Sequence, residues 1–304
     1  MSLLKIQPEF LKPGDEVAII SPSFVIDEKS IHYAVEFLEK WGLKVRVGKN
    51  TLKQNGPFAG NDEERLSDLQ EMTNDNGIKA VFCSRGGYGI SRIISKVDFS
   101  VLKESPKWYI GFSDITVLHI WLNEVCEIIS VHGEMPLNFS NTERTKDTFK
   151  SLKQALFGIL PPYEWEGSFF KAAKVTGELT GGNLSLIYSL LGTEADPSTK
   201  GKILFIEDVG EYYYHIDRMI TSLKLAGKLE GLSALIVGGM NDLEEASIPW
   251  GKDVTETIHD ITSEYNYPLL FNFPAGHVDD NRAFYIGKQA EINVRGNKAT
   301  LTFK

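Results

Sequence analysis

The stretch Trp108-Tyr-Ile-Gly-Phe-Ser113-Asp-Ile-Thr-Val-Leu-His119 joins an apolar run to helical spacing through Gly-x-Ser-Asp. A serine on such a strand-to-helix turn has its hydroxyl lifted out of the sheet, beside the first unpaired N–H groups of the helix. That is the geometry of a nucleophile. Ile115 stands where the hydrolase elbow Gly-x-Ser-x-Gly carries its second glycine. The same serine could also cap the helix by accepting from the N2 or N3 amide. A second strand-like run, Lys79–Ser84, breaks into Arg85-Gly-Gly-Tyr-Gly89. This loop fits neither Gly-x-Gly-x-x-Gly nor a P-loop, so it predicts no nucleotide site. Glycine lets backbone N–H groups approach a reacting carbonyl, so the loop could serve a developing oxyanion; otherwise it is a plain turn.

A serine hydroxyl needs a base, and the base works best when a carboxylate fixes its tautomer. The run Lys202–Ile206 ends in Glu207, Asp208 and Glu211, and Leu269–Phe273 is followed by Pro274-Ala-Gly-His277. By spacing the three acids are equivalent candidates, and each could equally cap the next helix. Of the six histidines, His32, His119, His215 and His259 fall in helical stretches, whereas His132 and His277 follow strands. His277-Val-Asp279-Asp280-Asn281 invites a metal reading, but no second histidine stands at a ligand spacing that would close a site. No metal and no cofactor are expected.

The elements that must position these residues alternate. Strands are predicted at Glu16–Ser21, Leu43–Val47, Lys79–Ser84, the Ser113 run and Glu127–Val131. Helical spacing fills the intervals: Ala34, Phe37, Leu38 and Trp41 form one stripe, and Leu66, Leu69 and Met72 another. The second opens at an Asn61/Glu64 capping box. Alternation of this kind means crossover connections, a parallel sheet and a doubly wound α/β fold, with ligands bound beyond the carboxyl ends of the strands. Between about Asn141 and Ala173 the pattern loosens around Pro161-Pro162, which places a boundary dividing the chain into 1–160 and 161–304. In the second part Thr176–Asn183 reads as a sharp glycine-rich turn into a helix over Leu184–Leu191. Ala234–Val237 reads as a strand, and the tail as a hairpin around Arg295-Gly-Asn297.

Composition sets outer bounds. At 304 residues, two domains fit the usual size prior. A net charge of −9 without a basic run argues against nucleic acid. No apolar run reaches a membrane span, and Met1–Pro8 lacks the pattern of a secretory signal. Two cysteines, Cys83 and Cys126, make no disulfide framework. The expectation is a cytoplasmic protein.

In combination the motifs resemble the LD-carboxypeptidase family of serine peptidases. The resemblance rests on Ser84-Arg-Gly-Gly-Tyr-Gly89, Gly111-Phe-Ser-Asp-Ile-Thr116, Val131-His-Gly133 and Gly177-Glu-Leu-Thr-Gly-Gly-Asn-Leu184. It extends through Phe205-Ile-Glu-Asp-Val209 with Ile216-Asp-Arg-Met219 to Gly276-His277, in order over nearly the whole chain. It implies a flavodoxin-like N-terminal domain, a C-terminal swivelling β/α/β domain and a homodimer. It also implies Ser113 as nucleophile, Glu207 as orienting carboxylate and His277 as general base. The oxyanion would be held at Gly86, Gly87 and the Asp114 amide, and Arg85, Tyr88 and Asn183 would bind substrate. The implied substrate is a murein tetrapeptide, losing its terminal D-alanine during peptidoglycan recycling. A branch of the family hydrolyses peptidyl-nucleotide antibiotics, and a non-catalytic two-lobed binding protein is the alternative from another class. Val278 stands where many relatives carry glycine, and Ser21-Pro22 replaces the usual Ala-Pro.

Overall fold

The computed structural model of the chain describes residues 5–141, 143–171 and 174–304. Residues 1–4 of the leader reading, and 142, 172 and 173 of the boundary region, lie outside them. In chain order the first elements are β1 (Glu16–Ile20), α1 (Glu28–Glu39), β2 (Lys44–Val47), α2 (Asp62–Asn74) and β3 (Ile78–Cys83). Then come β4 (Trp108–Gly111), α3 (Thr116–Glu124), β5 (Ser130–His132), α4 (Lys146–Leu156), β6 (Tyr163–Glu166) and β7 (Phe169–Phe170). Next are β8 (Lys174–Asn183), α5 (Leu184–Ser189), β9 (Ile203–Val209), α6 (Tyr213–Leu225), β10 (Ala234–Asn241) and α7 (Val254–Thr262). The last are β11 (Leu269–Leu270), β12 (Phe284–Ile286), β13 (Gln289–Arg295) and β14 (Lys298–Phe303).

Two compact units result. One takes the described residues up to Leu160 together with Asp279–Gly287; the other takes Pro161–Val278 and Lys288–Lys304. The range 161–304 thus contains a short excursion into the first unit, where β12 pairs antiparallel with β5 through Phe284 and His132.

In the first unit the strands run β12-β5-β4-β3-β1-β2, with the five strands β1–β5 parallel in flavodoxin order. Val17, Ala18, Ile19 and Ile20 are all fully buried, as a strand covered on both faces demands. The connections β1 to β2 and β2 to β3 run in opposite directions across the sheet. Right-handed crossovers therefore send α1 and α2 to opposite faces, which is the doubly wound arrangement the alternation predicts. Asp27 caps α1, and the Asn61/Glu64 box caps α2 as its sequence predicts. Strand order reverses at β1, so the chain leaving β1 at Ser21 and β3 at Ser84 flanks the switch point where such sheets bind ligands. After the Arg85–Gly89 loop the chain forms two 3₁₀ turns, Ile90–Arg92 and Ile94–Lys96.

The second unit is a mixed sheet in the order β6-β14-β13-β8-β9-β10-β11-β7, whose centre, β8-β9-β10-β11, is parallel. This is the expected β/α/β arrangement, widened by antiparallel partners on both sides. Two segments differ from their sequence reading. Thr176–Asn183 is the body of a ten-residue strand, and Tyr163–Glu166 is a strand with alternating burial. The glycines that read as a turn serve strand contact instead. Gly181 has φ +119°, and a Cβ there would lie 2.0 Å from the Phe205 carbonyl oxygen. No helix among the described residues is long and apolar enough to cross a membrane.

Candidate active site

Ser113 closes β4 with φ +62°, a left-handed conformation that costs a non-glycine residue energy and is held by the packed turn around it. The expected N-cap role is not observed. The cap positions of the 3₁₀ turn Ser113–Ile115 and of α3 fall to Phe112 and Ile115, neither with a side-chain cap bond. A cap residue sits in the extended region, and positive φ takes Ser113 out of it. Gly86 faces the serine closely. A Cβ at Gly86 would lie 2.9 Å from Ser113 Cβ, 3.0 Å from its Oγ and 3.3 Å from the Asp114 nitrogen. Only hydrogen at position 86 fits against the serine and the Asp114 N–H without a clash. Gly87 turns the same loop at φ +105°, where a Cβ would enter the Phe24 ring at 2.3 Å.

The loop is fastened to the end of β1. Ser84 Oγ and Ser21 Oγ share a hydrogen bond of 2.6 Å, so the Ser21 departure from the family pattern adds a link between the two strand ends. Arg85, expected to bind substrate, spends one N–H on the Val25 carbonyl at 3.0 Å and lies over the Phe24 ring. Tyr88 is 46% exposed, with its ring 6.0 Å from that of Phe58. The Asp114 side chain is buried, and Ser23 Oγ and the Ile90 N–H both donate to its Oδ2, at 2.6 and 3.1 Å.

In the second unit Glu207, fully buried near the end of β9, accepts from His277 Nδ1 at 2.7 Å and from the His277 backbone N–H at 3.3 Å, both on Oε2. A carboxylate only accepts, so Nδ1 carries the proton and Nε2 keeps its lone pair. Gly276 makes this approach possible. It has φ +103°, and a Cβ there would lie 2.7 Å from Glu207 Oε2. Asn241, at the end of β10, donates to the His277 carbonyl at 2.6 Å, a support that no sequence signal marked. The Val278 departure is accommodated at Gly239, where a Cβ would lie 2.7 Å from Val278 Cγ1.

The three acids that spacing left equivalent separate cleanly. Neighbouring strand residues point to opposite faces, so when Glu207 faces His277, Asp208 faces away. Asp208 accepts from Asn183 Nδ2 and the Ser185 N–H, both at 2.9 Å. Burial pushes its pKa up to about 6. Glu211 pairs with His215 Nδ1 at 2.7 Å. Asn183, expected to bind substrate, caps α5 and holds Asp208. Among the remaining histidines, His132 is buried against Phe284 and His119 is buried between Ser130 Oγ and the Gly111 carbonyl. Among the described residues no group of three or more His, Cys, Asp or Glu side chains could hold a metal ion.

A serine at positive φ beside a glycine that clears its front, and an imidazole oriented by a buried carboxylate, are parts suited to acyl transfer on a two-unit α/β framework. The family comparison agrees with that class. Residues 17–133 match the LD-carboxypeptidase N-terminal domain and residues 176–292 the LD-carboxypeptidase C-terminal domain. A probable murein peptide carboxypeptidase of Bacillus subtilis (strain 168) is 35% identical over 302 residues, covering 98% of this chain and 95% of the relative. The chain belongs to the LD-carboxypeptidase family, and is thereby a peptidase. The crystal structure of muramoyltetrapeptide carboxypeptidase from Oxalobacter formigenes matches with a TM-score of 0.87 at 27% identity, covering 95% of this chain and 98% of that one. The microcin C7 self immunity protein MccF, in complex with aspartyl sulfamoyl adenosine, matches with a TM-score of 0.88 at 21% identity, covering 98% and 99%, a likeness of fold.

Proposed function

We propose that this chain is a serine LD-carboxypeptidase that removes the terminal D-alanine from murein tetrapeptides, in the cytoplasm and as a homodimer, during peptidoglycan recycling. In this reading 1–160 is the nucleophile-bearing domain and 161–304 carries the acid and the base. The observation that carries it is the 2.7 Å bond from His277 Nδ1 to buried Glu207, which puts the proton on Nδ1 and makes Nε2 the nitrogen that accepts a proton. His277 takes the Ser113 proton as Oγ attacks the carbonyl preceding D-alanine. The negative oxygen is held by the Asp114 N–H and by amides of the Gly86–Gly87 loop, each donor being worth about 3 kcal/mol. The tetrahedral species collapses as His277 protonates the departing amine, leaving an ester on Ser113. Water, deprotonated by the same imidazole, hydrolyses that ester. Arg85, Tyr88 and Asn183 are assigned to substrate binding, and every proton in the cycle is handled by side chains of this chain.

The likeness of fold to MccF supports a second substrate class, an aminoacyl or peptidyl nucleotide, cut by the same serine. Incubation with a murein tetrapeptide, read as released D-alanine, tests the proposal. Turnover by the wild type and none by folded Ser113→Ala is the expected result. Turnover of a peptidyl nucleotide but not of the tetrapeptide selects the second reading. A wild type that returns both intact is a binding protein, and a Ser113→Ala variant that still turns over refutes the mechanism.

A further inference from the structure

The loop after β3 must hold Gly86 against Ser113, and two buried charges that the proposed chemistry leaves unused grip its far end. Arg65 on α2 and Asp114 at the start of the α3 turn are 1% and 0% exposed. Between them lies the peptide bond joining Gly89 to Ile90. Its carbonyl accepts from Arg65 Nη1 at 2.9 Å, and its N–H donates to Asp114 Oδ2 at 3.1 Å. The same two side chains hold the chain leaving β1, where Arg65 Nη1 donates to the Pro22 carbonyl and Ser23 Oγ donates to Asp114 Oδ2. Gly89 makes the close approach possible, since a Cβ there would lie 2.7 Å from Arg65 Nη1. Asp62 accepts from Nη2 on the outer side of the guanidinium.

Burying two charges costs several kcal/mol each unless they are paired and hydrogen-bonded, and an apolar pair would often serve stability as well. Charge-assisted bonds are short and directional, which suits a peptide that must not drift. We infer that Arg65 and Asp114 form a clamp on the Gly89–Ile90 peptide, positioning the oxyanion loop against the nucleophile. The clamp rests on the reading that this loop and the Asp114 amide receive the oxyanion. It acts on the transition state rather than on substrate affinity, because neither side chain reaches for substrate; its effect falls on kcat.

The test uses the full chain, tetrapeptide turnover and hydrogen exchange at the Ile90 amide. Arg65→Met and Asp114→Ala each lower kcat about 100-fold, the scale of a misplacement of about 1 Å at the reacting atoms. KM stays within about threefold, as expected when only transition-state binding is lost. Asp114→Asn, which keeps an oxygen for both Ser23 and Ile90, recovers about tenfold of the loss, as replacing a charged by a neutral acceptor implies. Exchange at Ile90 accelerates in Arg65→Met and Asp114→Ala. Ser113→Ala leaves that exchange as in the wild type, so failure of the functional reading is separable from failure of the clamp. Wild-type kcat in Asp114→Ala, unchanged Ile90 exchange, or an Asp114→Asn as damaged as the alanine variant overturns the inference. If Asp114→Ala does not fold, Ser23→Ala and Asp114→Asn carry the same comparison. Faster Ile90 exchange with a kcat loss in Ser23→Ala supports the clamp, and no change in either sinks it.

Discussion

Glu207→Gln separates two ways in which the carboxylate can act. If the new amide presented its NH₂ to His277, the imidazole would be driven into the wrong tautomer, a change worth about 10⁴ in kcat. The structure predicts otherwise. Oε2 receives the His277 backbone N–H at 3.3 Å as well as Nδ1 at 2.7 Å, so an NH₂ there would face two donors. The glutamine oxygen is therefore drawn to the Oε2 position, and the tautomer survives. What is lost is the negative charge beside the imidazolium. With charge centres about 5 Å apart at an effective dielectric of about 20, that is about 3 kcal/mol, or about 150-fold in kcat. The NH₂ comes to rest where Oε1 lies buried with no hydrogen-bond partner among the described residues, which costs about 1–3 kcal/mol of stability. Steady-state D-alanine release gives kcat, and ¹⁵N spectra of the His277 ring give the tautomer. A loss near 10⁴-fold, with the proton found on Nε2, would refute the reasoning.

Other substitutions probe the glycines and the buried histidine. Gly86→Ala adds a methyl 3.0 Å from Ser113 Oγ at a backbone of ordinary φ, so the protein should fold, while kcat/KM falls about 10²- to 10³-fold, as when an oxyanion donor is lost. Wild-type kinetics in that variant contradict the assigned oxyanion site. Gly276→Ala combines φ +103° with a Cβ 2.7 Å from Glu207 Oε2, and should lower both activity and urea stability, the latter by at least about 1–3 kcal/mol. An alanine variant as stable as the wild type would mean the histidine loop can shift freely. His119 donates from Nε2 to the Gly111 carbonyl and accepts Ser130 Oγ at Nδ1, and burial lowers its pKa to about 4. The folded value lies below the ordinary 6.5, so the unfolded chain binds the proton more readily and stability falls as pH drops from 6.5 towards 4. The loss approaches about 3 kcal/mol, and urea titrations at pH 7 and pH 5 should show a smaller difference in His119→Gln.

Local pattern was sufficient for β1, whose apolar run is buried on both faces, for the α2 capping box and for the strand-to-turn break at Ser113. It also marked Ser113, the Arg85–Gly89 loop and His277 as chemistry-capable, because residue type and position after a strand are properties of short windows. Position beyond the window was out of reach. β12 is three residues long and gains its identity from pairing with β5, some 150 residues earlier in the chain. Nothing in the helical stripe of α2 separates Arg65 from its solvated neighbours, since its burial depends on carbonyls at Pro22 and Gly89. The same holds for the glycines of β8, whose spacing imitates a turn until the Phe205 carbonyl is seen against Gly181.

The amino-acid sequence by itself determined the alternation that makes a doubly wound sheet, and the strand ends from which functional groups project, because both follow from periodicity and turn chemistry along the chain. Spacing left Glu207, Asp208 and Glu211 equivalent and only the family resemblance implied Glu207; the tertiary structure alone shows why Glu207 is the one that meets His277, and that Ser113 is strained rather than capping. Those outcomes depend on which face of a strand packs against which distant loop, and a hydrogen bond across 70 residues leaves no trace in the spacing of either partner.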